Sequence, residues 1–230
     1  MQSSKVRVGG TWYRINKTEE AAPLKAQLLG LFFYGDLLEY LILALARAAG
    51  HDVQGEQDRL SAAGIKGHRD AVIDGVTIDV KSASRWGMQK FMKHSLRDDD
   101  PYGYISQLSS YVYAAKDDPL VTDKKRGAFL VVQKDTFNLC LDVYDFSNEI
   151  ENKEEEITQV KKIVSGKIPK DRLAPIPQSA SSKNTKLSFA CAGCEYRKIC
   201  WPEARVFQYS TGKEYLIDVV NPPKVQELID

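Results

Sequence analysis

Asp70, Asp79 and Lys81 are the residues of this chain whose types and spacing could do chemistry. Asp79 and Lys81 stand two apart in Thr77-Ile78-Asp79-Val80-Lys81, and Asp70 precedes them across an Asp74-Gly75 dipeptide. Asp-Gly readily takes the positive φ angles of a tight turn, so residues 67–84 read as a β-hairpin. Side chains alternate faces along a strand. Asp70 then shares a face with Val72, and Asp79 with Lys81, while Ile78 and Val80 point the other way, toward a core. Two carboxylates and one ammonium meet at the mouth of the hairpin. Carboxylates hold hard divalent cations, and such cations activate water and polarise phosphates. A neighbouring lysine can orient that water, or deprotonate it if its own pKa is lowered. The same charges also suit an edge strand protected against aggregation.

Two further pieces could serve such a centre. Glu39, in Tyr34-Gly35-Asp36-Leu37-Leu38-Glu39, is flanked by Leu38 and Tyr40, which sets it at a core boundary; the alternative is an ordinary helix-surface glutamate. Gln107 and Tyr111 are four apart and share one helical face. An amide and a phenol can orient a phosphodiester or a carboxylate through hydrogen bonds. Between hairpin and helix lie Lys81, Arg85, Lys90, Lys93, His94 and Arg97, with Trp86, Phe91, Tyr102 and Tyr104 interleaved. Cations neutralise phosphates and aromatic faces stack unpaired bases; Trp86 and Phe91 suit a core equally well. His68, beside Asp70, is either a backbone contact or a solvated side chain.

A second cluster is Cys191-Ala192-Gly193-Cys194-Glu195-Tyr196-Arg197-Lys198-Ile199-Cys200, a C-x2-C-x5-C run followed by Trp201-Pro202. In a reducing compartment this spacing reads as metal ligation by thiolates, zinc or an iron–sulfur cluster. The fourth cysteine, Cys140, falls in an expected strand and reads as a small core residue.

The elements that must position these groups follow from apolar spacing and breakers. Residues 6–16 read as a short strand or lead-in. Pro23 opens a helix over residues 24–49, with Gly50 as its stop and Gly30 and Gly35 as points where it could divide. After the hairpin, the charged residues 86–100 end at Asp98-Asp99-Asp100-Pro101, and a helix runs from about 104 to 115. Strands are expected at 127–133 and 138–145, then an amphipathic helix at 149–166. Residues 167–187 read as a linker or exposed loop, and 215–220 as a last strand. Helices alternating with strands in this order imply an α/β domain with a mixed sheet.

Bulk properties narrow the class. The 230 residues suffice for one substantial domain. A net charge of +1 gives no global signature of nucleic-acid binding, which leaves a local basic rim around an acidic site as the alternative. The start, Met1-Gln2-Ser3-Ser4-Lys5, lacks a signal-peptide core. The most apolar stretch, residues 37–46, is interrupted by Glu39 and is too short to span a bilayer. The expectation is a cytoplasmic protein with no membrane contact.

Taken together, these pieces resemble the PD-(D/E)xK nuclease superfamily, in its RecB-like and Cas4-like exonuclease branch. Asp70 matches the first acidic position, a few residues after Gly67. Asp79 and Lys81 match the D/E-x-K pair, and Gln107 and Tyr111 the Q-x-x-x-Y helix motif. Glu39 falls where this branch often has a metal-binding histidine and some phage-type relatives have glutamate. The match spans about residues 30 to 115, and Asp70 lacks the motif's proline. The resemblance implies a restriction-endonuclease-like α/β core, a central mixed β-sheet flanked by helices. Residues 1–187 would form this core with an N-terminal helical region, and residues 188–230 a small cysteine-containing segment packed on it. It implies that Asp70, Asp79, the Val80 carbonyl and Glu39 hold one or two Mg²⁺ or Mn²⁺ ions, with Lys81, Gln107 and Tyr111 completing the catalytic set.

The cysteine run resembles the C-terminal part of the 4Fe–4S signature of Cas4-type and AddB-type nucleases. Cys191, Cys194 and Cys200 would be ligands. The family's fourth cysteine, upstream of the first active-site helix, is missing. The remaining options are a non-cysteine ligand, Cys140, or a relic that binds nothing. The implied activity is a metal-dependent DNA exonuclease acting on ends, single-stranded or with a single-stranded tail. The setting would be recombination, repair, phage DNA processing (in a host cytoplasm) or Cas4-like spacer processing. The alternatives are a structure- or sequence-specific endonuclease of the same fold and a non-catalytic DNA-binding subunit.

Overall fold

The computed structural model describes residues 8–17, 20–24, 26–168 and 172–229. The chain opens with helix α1 (Val8–Asn16) and divides into two compact units, residues 25–160 and residues 1–24 with 161–230. The boundary expected near residue 187 thus lies inside the second unit.

The 25–160 unit begins with α2 (Ala26–Ala48), followed by β1 (Val53–Gln54), β2 (Arg59–Ala62), β3 (Ile65–His68), β4 (Ala71–Ile73) and β5 (Val76–Ala83). Then come α3 (Arg85–Met92), α4 (Tyr104–Ala114), β6 (Arg126–Gln133), β7 (Leu139–Asp145) and α5 (Ser147–Glu151), and α6 (Lys153–Ser165) leads out of the unit. Five strands form the central sheet in the order β1-β4-β5-β6-β7. All neighbours are antiparallel except β5 and β6, which run parallel because α3 and α4 carry the chain back between them. This is a mixed α/β fold with a mixed sheet flanked by helices.

β6 is covered on both faces, so its residues 127–132 are a continuous apolar run rather than an alternating one. Ala128 and Val132 join Ile78 and Val80 of β5 under Leu38, Ile42 and Leu43 of α2. Phe129 and Val131 face the other way, against Met88 and Phe91 of α3 and Leu108 and Val112 of α4. Among the described residues α2 is the one helix long and apolar enough to cross a membrane by length and composition. It runs well beyond the apolar stretch at 37–46; Leu38, Ile42 and Leu43 are buried on the sheet, while most of its other large apolar side chains are exposed. Gly30 and Gly35 do not divide it.

The Asp74-Gly75 turn forms as expected, with φ of 50° and 78°. Gly75 is required twice over: a Cβ there would also lie 2.0 Å from Thr122 Oγ1. Several expectations need correction in this unit. Gly67 and His68 belong to β3, which pairs with β2 in a separate two-stranded hairpin. The charged residues after β5 form α3, capped by Ser84 Oγ accepting from the Gly87 N–H at 3.3 Å and anchored by buried Met88 and Phe91. The helix expected at 149–166 is two, α5 and α6, separated at Asn152. The boundary at 98–101 holds, because both Asp100 carboxylate oxygens cap α4, accepting from the N–H groups of Tyr104 and Ile105.

In the other unit, residues 8–16 are a helix rather than a strand; residues 6 and 7 lie outside the described residues. Buried Tyr13 stacks on Tyr196 at 5.3 Å, and Arg14 pairs with Glu195 at 2.8 Å. The stretch expected as a loop carries β8 (Ile176–Pro177) and β9 (Thr185–Lys186). They join β10 (Arg205–Tyr209), β11 (Gly212–Leu216) and β12 (Glu227–Leu228) in an antiparallel sheet ordered β12-β10-β11-β9-β8. The strand expected at 215–220 therefore starts earlier and ends at Leu216. Two single-turn helices, α7 (Phe189–Ala192) and α8 (Arg197–Cys200), carry the cysteine run.

Candidate functional site

β5 carries the centre of the site. Ile78 and Val80 pack toward α2, which turns Asp79 and Lys81 toward the α3 and α4 side of the sheet. Asp79 is 1% exposed, and its carboxylate pairs with the Lys81 ammonium. Lys81 Nζ also lies 5.1 Å above the Tyr104 ring, a cation–π contact. Asp70 is not within a strand. It sits just before β4, one step beyond the Ala71–Ile78 pair, and its Oδ2 accepts the Val80 N–H at 2.6 Å. The two acids are thereby fixed by backbone: one lies inside β5, and the other is hydrogen-bonded to the residue after it.

The shared burial perturbs every group present. Asp70 is pushed up to about 7, first by burial, then by the charges of Asp79 and Glu39. Burial pushes Asp79 up, with Lys81 opposing. Burial pulls Lys81 down, but Asp79 and Asp70 outweigh it and hold the ammonium above its ordinary value. A protonated lysine in this position suits orientation of water and charge compensation.

Glu39 reaches this field from α2, on the opposite face of the sheet. Its pKa is raised by burial against a 2.5 Å hydrogen bond from Gln57 Nε2 to its Oε1. Gln57, with φ of 53°, also donates its backbone N–H to the Asp70 carbonyl at 3.2 Å. One residue thus ties Glu39 to the Asp70 backbone. Arg69 anchors the same loop. Its guanidinium is fully buried, with Nη2 2.7 Å from Asp58 Oδ2, Nη1 2.6 Å from Asp118 Oδ2 and Nε donating to the Gly55 carbonyl. Neither Gln57 nor Arg69 was foreseen. The one available signal was that Arg69 is a cation immediately before Asp70.

Gln107 and Tyr111 meet as the helical spacing requires, with Gln107 Nε2 donating to the Tyr111 hydroxyl at 3.1 Å. Burial raises the Tyr111 pKa, the Gln107 hydrogen bond opposes, and Asp79 and Asp70 add to the rise, which places the phenol in the field of both acids. Of the basic residues expected to meet phosphates, Lys90, His94 and Arg97 are paired with Asp99, Asp142 and Glu149. The aromatics separate: Phe91 is core, whereas Trp86 is 84% exposed. Tyr102 and Tyr104 stack at 5.2 Å. His68 is exposed on β3.

Among the described residues no group of three or more His, Cys, Asp or Glu side chains is gathered tightly enough to hold a metal ion. Glu39, Asp70 and Asp79 therefore do not make a ready three-carboxylate cage. Asp70 and Asp79 remain, and Mg²⁺ needs no more than one or two carboxylates beside waters and substrate phosphates. The charges of Asp79 and Asp70 both act on the Lys81 ammonium, and Glu39 adds to the field at Asp70 from the other side of the sheet. Asp70 and Asp79 are oxygen donors of the kind that Mg²⁺ or Mn²⁺ takes.

The cysteines form no such group either, among the described residues. Cys191, Cys194 and Cys200 are free and half-buried on the α7–α8 turns. Burial raises Cys194 and Cys200, with smaller effects from the neighbouring cysteines, so the neutral thiol is favoured. Cys140, expected in the core, is only partly buried, packed against the aromatic cluster from the edge strand β7.

No protein-family model matches this chain, and no curated protein matches it. Among solved structures it is similar to one described as "Crystal structure of SSO0001", at 12% identity and a TM-score of 0.36 over 73% of this chain and 68% of that one. A superposition that loose bears on neither fold family nor function.

Proposed function

We propose that this chain is a metal-dependent DNA exonuclease of the PD-(D/E)xK type, with a restriction-endonuclease-like core. One observation carries the reading: Asp70 and Asp79 are held together by the Asp70–Val80 hydrogen bond, with Lys81 against Asp79 and Tyr111 in the field of both acids. Asp70 and Asp79, with the Val80 carbonyl, would hold Mg²⁺ or Mn²⁺, which supplies Lewis-acid activation of the phosphate and of water. Lys81 stays protonated, orients the attacking water and offsets charge building on the phosphoryl oxygens. Gln107 and Tyr111 position the strand. Glu39, held by Gln57, adds negative charge at the edge of the site. Exposed Trp86, on the helix that follows β5, offers a stacking face to unpaired bases. The reading places the enzyme in a cytoplasm, on DNA with a single-stranded end.

The test is hydrolysis of end-labelled DNA, linear and closed-circular, with Mg²⁺ or Mn²⁺. Release of short products from linear DNA alone supports the exonuclease. Cleavage of closed circles at the same rate would transfer the site to an endonuclease of the same chemistry. Binding with no cleavage under any metal would leave a DNA-binding subunit.

A further inference from the structure

Beside Tyr111 lies an open cleft of about 200 Å³. Its walls are apolar: Leu60 and Ala62 from β2, Ile65 from β3, Ala114 from α4 and Ile157 from α6, with Tyr111 on the side toward the acids. The polar groups at its margin are Gln107, Ser110 and Lys66. Ser110 Oγ donates to the Ser106 carbonyl at 2.7 Å, which leaves its lone pairs as acceptors. β3 can lie this close to the phenol because residue 67 is glycine; a Cβ there would be 3.1 Å from Tyr111 Cε1.

Three features choose the occupant. The volume is below the roughly 300–1,000 Å³ of sites for drug-sized ligands, which suits a single flat ring system. Apolar walls with a few polar groups at the margin match a nucleobase, whose faces are apolar and whose edge is polar. Gln107 and Tyr111, which the proposed catalytic set includes, also line the cleft. Lys66 at the margin is exposed, as are Arg59 and His68 on the same β2–β3 hairpin, basic side chains of the kind that meet phosphates.

We propose that this cleft receives one unpaired base of the DNA strand whose backbone is held at Asp70 and Asp79, packed against the Tyr111 ring. The inference rests on the nuclease reading and deepens it, because a duplex cannot deliver a base there without unpairing. Single-stranded ends are therefore the preferred substrate, and the preference arises from the β2–β3 hairpin and α4 rather than from the metal ligands.

The experiment scans a fluorescein-labelled 12-nucleotide single strand with one abasic residue placed in turn at each position. Affinity is read by anisotropy with Mg²⁺ in the full chain carrying Lys81→Met, so that the strand stays intact. One position, or two adjacent ones, should lose roughly tenfold in affinity, the scale of one base stacked on an aromatic side chain. Ala114→Leu, which fills the cleft from α4, should weaken the intact strand by a similar factor and flatten the abasic profile. A flat profile before that substitution overturns the proposal, as does a profile that survives it, and as does failure to bind single strands at all. Should Ala114→Leu fail to fold, the same scan on cleavage by the unsubstituted chain decides, through KM rising at one position. If the unsubstituted chain cleaves DNA and the scan is flat, the cleft fails while the nuclease stands. If it never cleaves and the profile persists, the nuclease fails while the cleft stands.

Discussion

Replacing Asp70 by Asn should make the metal-free protein more stable near pH 8 while changing it little near pH 5. Folded Asp70 holds its proton up to about pH 7, against 3.8 for the unperturbed group. Its stabilising contribution is full below the unfolded pKa and is lost as pH rises through the folded one. Each unit is worth about 1.4 kcal/mol, so ionising Asp70 in place costs roughly 4 kcal/mol, of which about 3 develops above pH 5. Asparagine never ionises, and its carbonyl oxygen still accepts the Val80 N–H, though without the charge, which forfeits about 1 kcal/mol. The net gain near pH 8 is about 3 kcal/mol, or roughly 10 °C in melting temperature for a domain of this size. The assay is thermal denaturation by circular dichroism in a chelating buffer at both pH values. Adding Mn²⁺ should then stabilise the unsubstituted chain and leave Asp70→Asn unmoved, because the variant has lost a ligand. A variant less stable than the parent near pH 8, or a difference independent of pH, would refute the picture of Asp70 as a carboxyl held under repulsion.

Other expectations are independent of the metal. Arg69→Met removes the hydrogen bonds of a buried guanidinium to Asp58, Asp118 and Gly55 and should cost about 2–3 kcal/mol in chemical denaturation; a loss under 1 kcal/mol would show that the guanidinium is not the anchor of the 55–58 loop. Gly75→Ala combines a positive φ with contact on Thr122 and should cost about 2 kcal/mol or more. Thr122→Ala should recover only part of that loss, since the backbone strain remains; full recovery would locate the whole cost in the clash. The protein purified anaerobically should be free of iron and colourless, and a broad band near ~400 nm would show that the three cysteines do close on a cluster.

The sheet was legible because its strands carry their own punctuation. Asp74-Gly75 announced the β4–β5 turn, the apolar residues 127–132 announced a buried strand, and Asp98-Asp99-Asp100 announced the cap of α4. α3 escaped because its charged residues masked two anchors, Met88 and Phe91, spaced for one helical face. α1 escaped because its stability comes from partners far along the chain, Glu195 and Tyr196, which no local window contains. In the site, alternation along β5 placed Asp79 and Lys81 on one face and spacing paired Gln107 with Tyr111. What alternation could not supply was the direction of the Lys81 shift, which depends on how deeply Asp79 is buried beside it. Nor could it find Gln57 and Arg69, whose roles exist only once the 55–58 loop folds over the strand end.

The most direct test is the rate at which Mg²⁺ or Mn²⁺ releases nucleotides from an end-labelled single strand, measured for the unsubstituted chain, Asp79→Ala and Lys81→Ala. Loss of a group that stabilises transition-state charge costs roughly 100- to 1,000-fold in such reactions. The site described here predicts activity in the unsubstituted chain, abolished by chelator and reduced on that scale in both variants, with single-strand binding retained in Lys81→Ala. Undiminished release in both variants, or no metal-dependent release from the unsubstituted chain, would contradict it.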